Sequence, residues 1–248
     1  MTIHGRKLLI TGGAGGIGFA LAIALHEAGN QVIICGRSQD SLDRANALQP
    51  GLIGRRCDVT NPQDRASLAA WLRAEHSNLS GLINNAGVQS RMNFLEGVSE
   101  TSVNEEVQIN FVAPLMLSLE LLPILRASSE VPIIVTVSSG LAFCPVANMP
   151  VYSASKAALH SVTLSLRHQL GPLGVRVVEM IPPPVDTPLG DHSAKDAIAA
   201  GLPVLTPEQF AQEALARLAA GEDEIAIGLS KDTKERGEAL FAVFNRAH

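Results

Sequence analysis

Short runs of consecutive apolar residues alternate with longer stretches whose apolar residues recur every three or four positions, almost from one end of the chain to the other. The short runs predict strands at Lys7–Thr11, Gln31–Cys35, Ile53–Cys57, Leu82–Asn84, Ile133–Ser138, Val175–Ile181 and Glu224–Ile227. The longer stretches predict helices at Gly16–Ala28, Ser41–Leu48, Gln63–His76, Val103–Arg126, Val151–Leu170, Pro207–Ala219 and Lys231–Asn245. Apolar strands separated by helices are the sequence form of repeated βαβ units, which build a parallel sheet covered on both faces. An α/β fold with one doubly wound parallel sheet of about seven strands is expected. No Pro/Gly/Ser-rich linker or charge block divides the chain, so residues 1–248 read as a single domain.

The rhythm breaks between Pro182 and Pro203, where three consecutive prolines are followed by Thr187, Gly190 and a short Ala-rich stretch. A long irregular insertion in a compact α/β domain is usually a binding loop, so 182–203 is read as a substrate lid.

Composition narrows the function. The chain is 46% hydrophobic but only 4% aromatic, which suits buried strands under Ala- and Leu-rich helices. Its net charge of −5, with no Lys/Arg run, argues against nucleic acid or an anionic membrane surface as partner. The cysteines Cys35, Cys57 and Cys144 lack the close spacing of a zinc site, so no metal is expected. Reduced thiols, with too short an apolar stretch before Gly12 for a signal peptide or membrane span, point to the cytoplasm.

Two features carry chemistry. The first strand runs into Thr11-Gly12-Gly13-Ala14-Gly15-Gly16-Ile17-Gly18 and a helical pattern begins at once. Glycines there let a pyrophosphate reach the helix N-terminus, whose free N–H groups attract anions. Farther on, Tyr152 and Lys156 stand four residues apart, which puts a phenol and an ammonium on one helix face. A free phenol titrates near pH 10 and needs a nearby positive charge to work near neutrality. On spacing alone, an accidental exposed pair is the commoner explanation.

The glycine spacing Gly12-x-x-x-Gly16-x-Gly18, with Asn84-Asn85-Ala86-Gly87 and the Tyr152/Lys156 pair, resembles the classical short-chain dehydrogenase/reductase family. The resemblance covers roughly His4 to Leu189, and the Pro-Pro-Val-Asp-Thr segment looks most like the bacterial DltE-type oxidoreductases. It implies a Rossmann-type fold and a nicotinamide cofactor held by Gly12, Gly16, Ile17 and Gly18. It also implies that Asp58 contacts the adenine edge, that Asn85, Ala86 and Gly87 pack beside a ribose, and that Val185 and Thr187 meet the carboxamide. Ser139, thirteen positions before Tyr152, takes the family's catalytic serine place, with Ser138 as the backup. Asn110 takes the place of a fourth catalytic residue, at which a helix carbonyl holds a relay water for the lysine. Tyr152 and Lys156 would also bind the cofactor.

Which nicotinamide is carried is read from the end of the second strand, Ile34-Cys35-Gly36-Arg37-Ser38. NAD binders place a carboxylate there for the ribose hydroxyl. This chain has none, and Arg37, with Ser38 beside it, suits a 2′-phosphate, so NADP (NADPH) is expected over NAD. The basic residue that many NADP-preferring relatives carry before the second motif glycine is here Gly15.

The expected activity is reduction of a carbonyl on a small or medium apolar substrate, with Ser139 polarising its oxygen, Tyr152 as general acid and Lys156 lowering the phenol's pKa. A catalytically silent NADP-binding sensor or scaffold, and an NAD-dependent alcohol dehydrogenase, are the alternatives. Leu141, Phe143, Val146, Met149 and Leu189 are candidate pocket residues, with Gln89 and His192 as polar contacts. Two departures from the family stand out: Pro182-Pro183-Pro184 replaces its Pro-Gly, and a charged helix replaces its Asp-Gly-Gly tail. Because that tail builds one tetramer interface in relatives, a homodimer through the 103–126 and 151–170 helices is expected.

Overall fold

The structure is a computed structural model and describes residues 3–190 and 193–245. Seven strands form one sheet, every neighbouring pair parallel: β1 (Lys7–Thr11), β2 (Gln31–Gly36), β3 (Ile53–Arg56), β4 (Gly81–Asn84), β5 (Ile133–Val137), β6 (Arg176–Ile181) and β7 (Glu224–Ala226). Their order is β3-β2-β1-β4-β5-β6-β7. The chain reverses its winding between β1 and β4, and the carboxyl edge of such a switch point is where doubly wound sheets bind ligands.

The sheet separates two cores. On one face Leu21 and Leu25 of α1 (Gly16–Glu27), Leu42 of α2 (Gln39–Leu48) and Phe210 and Ala214 of α8 (Pro207–Ala219) pack against Ile10, Ile34, Val135 and Met180. On the other, Leu68 and Leu72 of α3 (Pro62–Glu75), Leu117, Leu121 and Leu125 of α5 (Ala113–Ala127) and Leu166 of α6 (Pro150–Leu170) cover Leu9, Ile33, Leu82 and Ile134. The central strands bury every side chain, so period-two alternation is absent and a continuous apolar run marks each one.

Three elements differ from the sequence pattern. The helix expected at Val103–Arg126 begins at Glu100 as α4 (Glu100–Val107), passes through a π-helical turn at Gln108–Val112 and continues as α5. Together, residues 100–127 are long and apolar enough to cross a membrane, yet Leu117, Leu121 and Leu125 line the second core. The 182–203 insertion contains a short helix, α7 (Ser193–Ala199), and Val185 bridges Leu205 in parallel, so it is more ordered than its prolines and glycines suggest. The last helix is broken into α9 (Leu229–Arg236), a 3-10 turn at Gly237–Leu240 and α10 (Phe241–Phe244), with Gly237 at φ +54° marking the break.

Candidate active site

At the switch point the backbone itself makes a cradle. Gly12 and Gly16 adopt left-handed φ values of +64° and +51°. A Cβ on Gly18 would lie 2.3 Å from the Gly12 carbonyl oxygen, a clash with backbone that cannot relax. The buried Thr11 hydroxyl accepts the N–H groups of Asn85 and Ala86, each at 3.0 Å. The Asn85 amide in turn donates to the carbonyls of Thr11 (3.0 Å) and Gly12 (3.3 Å), stitching the chain after β4 to the glycine turn. Helices α2, α3 and α8 are capped by Ser38, Asn61 and Thr206, but the N-terminus of α1 has no side-chain cap. Its free N–H groups and the open space at Gly15 fit a pyrophosphate, so the residues present suit a dinucleotide.

The neighbouring positions divide. Thr187 reaches the turn despite the three prolines, its Cγ2 being 3.2 Å from where a Gly16 Cβ would stand. Val185 instead buries its side chain in the first core with Ile17 against it, so only its backbone is left for a ligand. Arg37 is exposed just past β2. Ser38 has a structural duty, accepting the Ser41 N–H at 3.2 Å as the cap of α2. Asp58 makes the local turn that its sequence also allows, its Oδ1 accepting Thr60 N–H (2.9 Å) and Oγ1–H (2.7 Å).

The chemical end lies where β5 stops. Ser139 is mostly buried, its Oγ accepting the Leu141 N–H at 3.1 Å to cap a 3-10 turn at Gly140–Ala142. Ser138, the backup, is buried with no partner for its hydroxyl. Tyr152 and Lys156 project from the first turns of α6 and are only 5% and 4% exposed, which removes the reading of them as an accidental surface pair. Lys156 donates to the Val137 carbonyl at 2.8 Å, with Nζ 5.7 Å from the centre of the Tyr152 ring.

In the free protein Lys156 alone does not bring the phenol down toward neutrality. Burial pushes Tyr152 up to about 12, the hydrogen bond with Ser139 works against that rise, and the charge of Glu106 adds to it. Burial also drops Lys156 to about 8, against the opposing pull of Glu179. A buried ammonium that close to losing its proton is a weak support for phenolate, so desolvation wins in the free protein.

Asn110 sits in the middle of the π turn, fully buried, and each side-chain atom is used. Its Oδ1 accepts the Val88 N–H (2.9 Å) while Nδ2 donates to Val88 O (2.9 Å) and Ser155 Oγ (3.0 Å). A Cβ on Gly87 would stand 3.2 Å from Asn110 Oδ1 and 3.6 Å from Lys156 Nζ, so Gly87, Asn110 and Lys156 meet. One turn earlier Glu106 repeats the device, its Oε1 accepting the Ser90 N–H at 3.0 Å while Oε2 is buried without a partner. Four positions apart, the two side chains share the helix face that meets the 88–90 segment.

The substrate side is held by residues that the sequence reading missed. Ser230 of α9 donates to the Pro182 carbonyl at 2.7 Å, which also accepts the Gly140 N–H at 3.2 Å. A Cβ on Gly140 would come within 2.6 Å of Ser230 Oγ, so α9 lies directly on the serine turn. Asn245 hooks the other end of the same loop: Oδ1 accepts the Ala147 N–H (2.5 Å) and Nδ2 donates to Pro145 O (3.1 Å). Between these ties Leu141, Phe143, Val146 and Met149 are half-buried, as is Leu189 of the 182–203 insertion. Gln89 packs on Gly190, His192 lies outside the described residues, and Arg91 pairs with Asp196 of α7. Among the described residues no group of three or more His, Cys, Asp or Glu could hold a metal ion, and the three cysteines are free and buried. One missed signal was legible: Glu179 interrupts the apolar run Val177-Val178-Glu179-Met180-Ile181.

Comparison with known proteins accounts for most of the chain. Residues 6–197 match the model of the short chain dehydrogenase family. A Bacillus subtilis protein described as uncharacterized oxidoreductase DltE is 43% identical over 97% of this chain and 92% of its own length. A human protein, dehydrogenase/reductase SDR family member 2, mitochondrial, is 33% identical over 71% of this chain and 64% of its own. Among solved structures, a short chain dehydrogenase from Burkholderia cenocepacia in complex with NADP superposes with a TM-score of 0.81 at 28% identity, covering 95% of this chain and 94% of that one. One from Burkholderia phymatum in complex with NAD gives 0.82 at 22% identity, covering 91% and 89%, a likeness of fold alone.

Proposed function

The chain belongs to the short-chain dehydrogenase family, oxidoreductases that act on CH–OH or C=O groups with a nicotinamide cofactor, and from that premise we propose that it is an NADPH-dependent carbonyl reductase. The observation that carries the reading is the burial of Ser139, Tyr152 and Lys156 together at the carboxyl edge of the sheet, beside a glycine cradle suited to a dinucleotide. Gly12, Gly16, Ile17, Gly18, Asn85, Ala86, Gly87, Thr187 and the backbone of Val185 would hold the cofactor, with Asp58 and Arg37 at its adenine end. Bound there, the reduced nicotinamide supplies the hydride.

The protein's own groups handle the oxygen. Ser139 Oγ–H donates to the substrate carbonyl oxygen and polarises it, an effect strengthened where water is excluded. Tyr152, whose pKa burial holds up at about 12, keeps its proton at neutrality and donates it to that oxygen as negative charge develops. Lys156 uses one N–H on Val137 and has two more for the ribose hydroxyls and the phenol. Asn110 fixes the wall of the site beside Lys156 through Val88. The half-buried side chains of Leu141, Phe143, Val146, Met149 and Leu189 favour a small or medium apolar substrate.

NADP over NAD is supported by Arg37 and by the lack of a carboxylate at the end of β2. Exposed Met116 and Leu119 on α5 and Leu164 on α6 support a homodimer through those helices, and three free buried thiols support a cytoplasmic setting. The test is titration with NADPH and NADH followed by a carbonyl panel monitored by loss of nicotinamide absorbance. Tyr152→Phe is expected to lose at least roughly a hundredfold in turnover with cofactor affinity intact. A Phe variant at the parent rate would remove the assignment, and tight NADPH binding without turnover on any carbonyl would favour a sensor instead.

A further inference from the structure

Behind the site, between β6 and α6, the apolar face carries one carboxylate. Glu179 is fully buried, its Oε2 is 2.8 Å from Nδ1 of His160, and its Oε1 has no hydrogen-bond partner. The register of β6 on β5 sets Glu179 level with Thr136 and Met180 level with Val137. Thr136 Oγ1 lies 3.0 Å from Thr163 Oγ1 of α6, so this face of the two strands looks at that helix. Lys156 and His160 stand one turn apart on α6, and Lys156 donates to the Val137 carbonyl, one register step from Glu179. The buried carboxylate thus touches His160 and lies one register step from the carbonyl that holds Lys156, on the same helix face.

A carboxylate without solvent is retained only where opposite charge and hydrogen bonds compensate its desolvation. His160 supplies the hydrogen bond, and that contact holds the imidazole above its ordinary pKa. Lys156 feels the same carboxylate, which opposes the loss of its proton by burial. The other charged groups facing the pair are Glu224 of β7 and Lys234 of α9, which are paired with each other, with Arg167 of α6 3.2 Å from Glu224. Glu106 of α4 acts on Tyr152, at the far side of Lys156.

We propose that Glu179 is the fixed counter-charge that keeps Lys156 an ammonium, and that His160 is a positioning residue that partly cancels this charge when protonated. The His160 side chain is 22% exposed, so protons in solution reach it. While protonated, His160 takes up part of the negative charge of Glu179, and less of it is left for Lys156. This deepens the catalytic reading of Lys156 and rests on it for its meaning in turnover.

The experiment follows the pH titration of the Lys156 side chain by NMR of isotope-labelled lysine in the cofactor-free protein, the resonance being identified by its loss in Lys156→Met. Glu179→Gln keeps the shape and removes the charge, and should lower the Lys156 midpoint by roughly one pH unit or more. His160→Asn keeps a donor toward Glu179 and removes the positive charge, and should raise it. Simple loosening of the interior would not move the two variants in opposite directions. An unchanged midpoint in Glu179→Gln overturns the proposal; if circular dichroism shows that variant unfolded, an unchanged or lowered midpoint in His160→Asn overturns it. NADPH titration and carbonyl turnover of the parent protein are measured alongside. Their failure would remove the reductase reading and leave the lysine result standing.

Discussion

The nucleotide half and the substrate half of the site are built from different materials. The first is almost all backbone: two left-handed glycines, a glycine that admits no Cβ, an uncapped helix end, and Thr11 tying the chain after β4 to the turn. The second is an irregular loop, 139–149, whose position is fixed by side chains that come from α9 and the chain beyond it. Backbone cradles constrain residue type directly, because only glycine accepts those φ values and close approaches. Side-chain hooks constrain it weakly, since any donor and acceptor at the right place would serve. Cofactor binding should therefore fail sharply on small changes, and substrate binding should drift.

Gly18→Val tests the sharp side. Its side chain meets the Gly12 carbonyl at the base of the cradle, and NADPH affinity, read by nucleotide fluorescence, should fall more than about a hundredfold or folding should fail. Near-parental affinity would mean that the cradle is not the cofactor site. A second measurement reads the chemical group between the halves. Tyr152 is the only tyrosine, so phenolate absorbance reports it alone. Because burial disfavours the charged form, the phenolate in the free, folded protein should appear with a midpoint of about 12, against about 10 for the unfolded chain. A midpoint at or below that of the unfolded chain would show that charge, not burial, rules the site. Arg37→Ala should weaken NADPH roughly tenfold and leave NADH nearly unchanged in paired titrations. The smallest effect belongs to the substrate side: Asn245→Ala should raise carbonyl KM a few-fold, leave NADPH affinity alone and speed hydrogen exchange at Ala147. Protection unchanged at Ala147 would detach the hook from the loop.

The same contrast explains what the sequence disclosed. The inner strands are legible because parallel, doubly covered strands leave largely apolar runs, while the edge strand β3 (Ile53-Gly54-Arg55-Arg56) buries no residue; all the observed bounds lie within a residue of the pattern. Gly12, Gly16 and Gly18 are legible for the steric reason already given. The π turn at Gln108–Val112 is not, since a one-residue widening of a helix leaves the apolar spacing almost intact. Ser230 and Asn245 were hidden because the loop segments they hold lie 48 to 100 positions away, a separation no local pattern encodes. The phenol's rise in the free protein is not legible because burial is a property of the fold, and the same burial weakens Lys156 as a charge.

The Asn245 hook also has a bearing on how the protein comes into being. It closes on residues 98 and 100 positions earlier in the chain. On a ribosome that interval takes on the order of 5–20 s. For most of that time the emerging chain already contains β1 to β5, the glycine turn and Tyr152, while the serine loop lacks its Asn245 tie. The serine loop is therefore the last part of the site to gain its support, after α8 has closed on α1 behind the glycine turn.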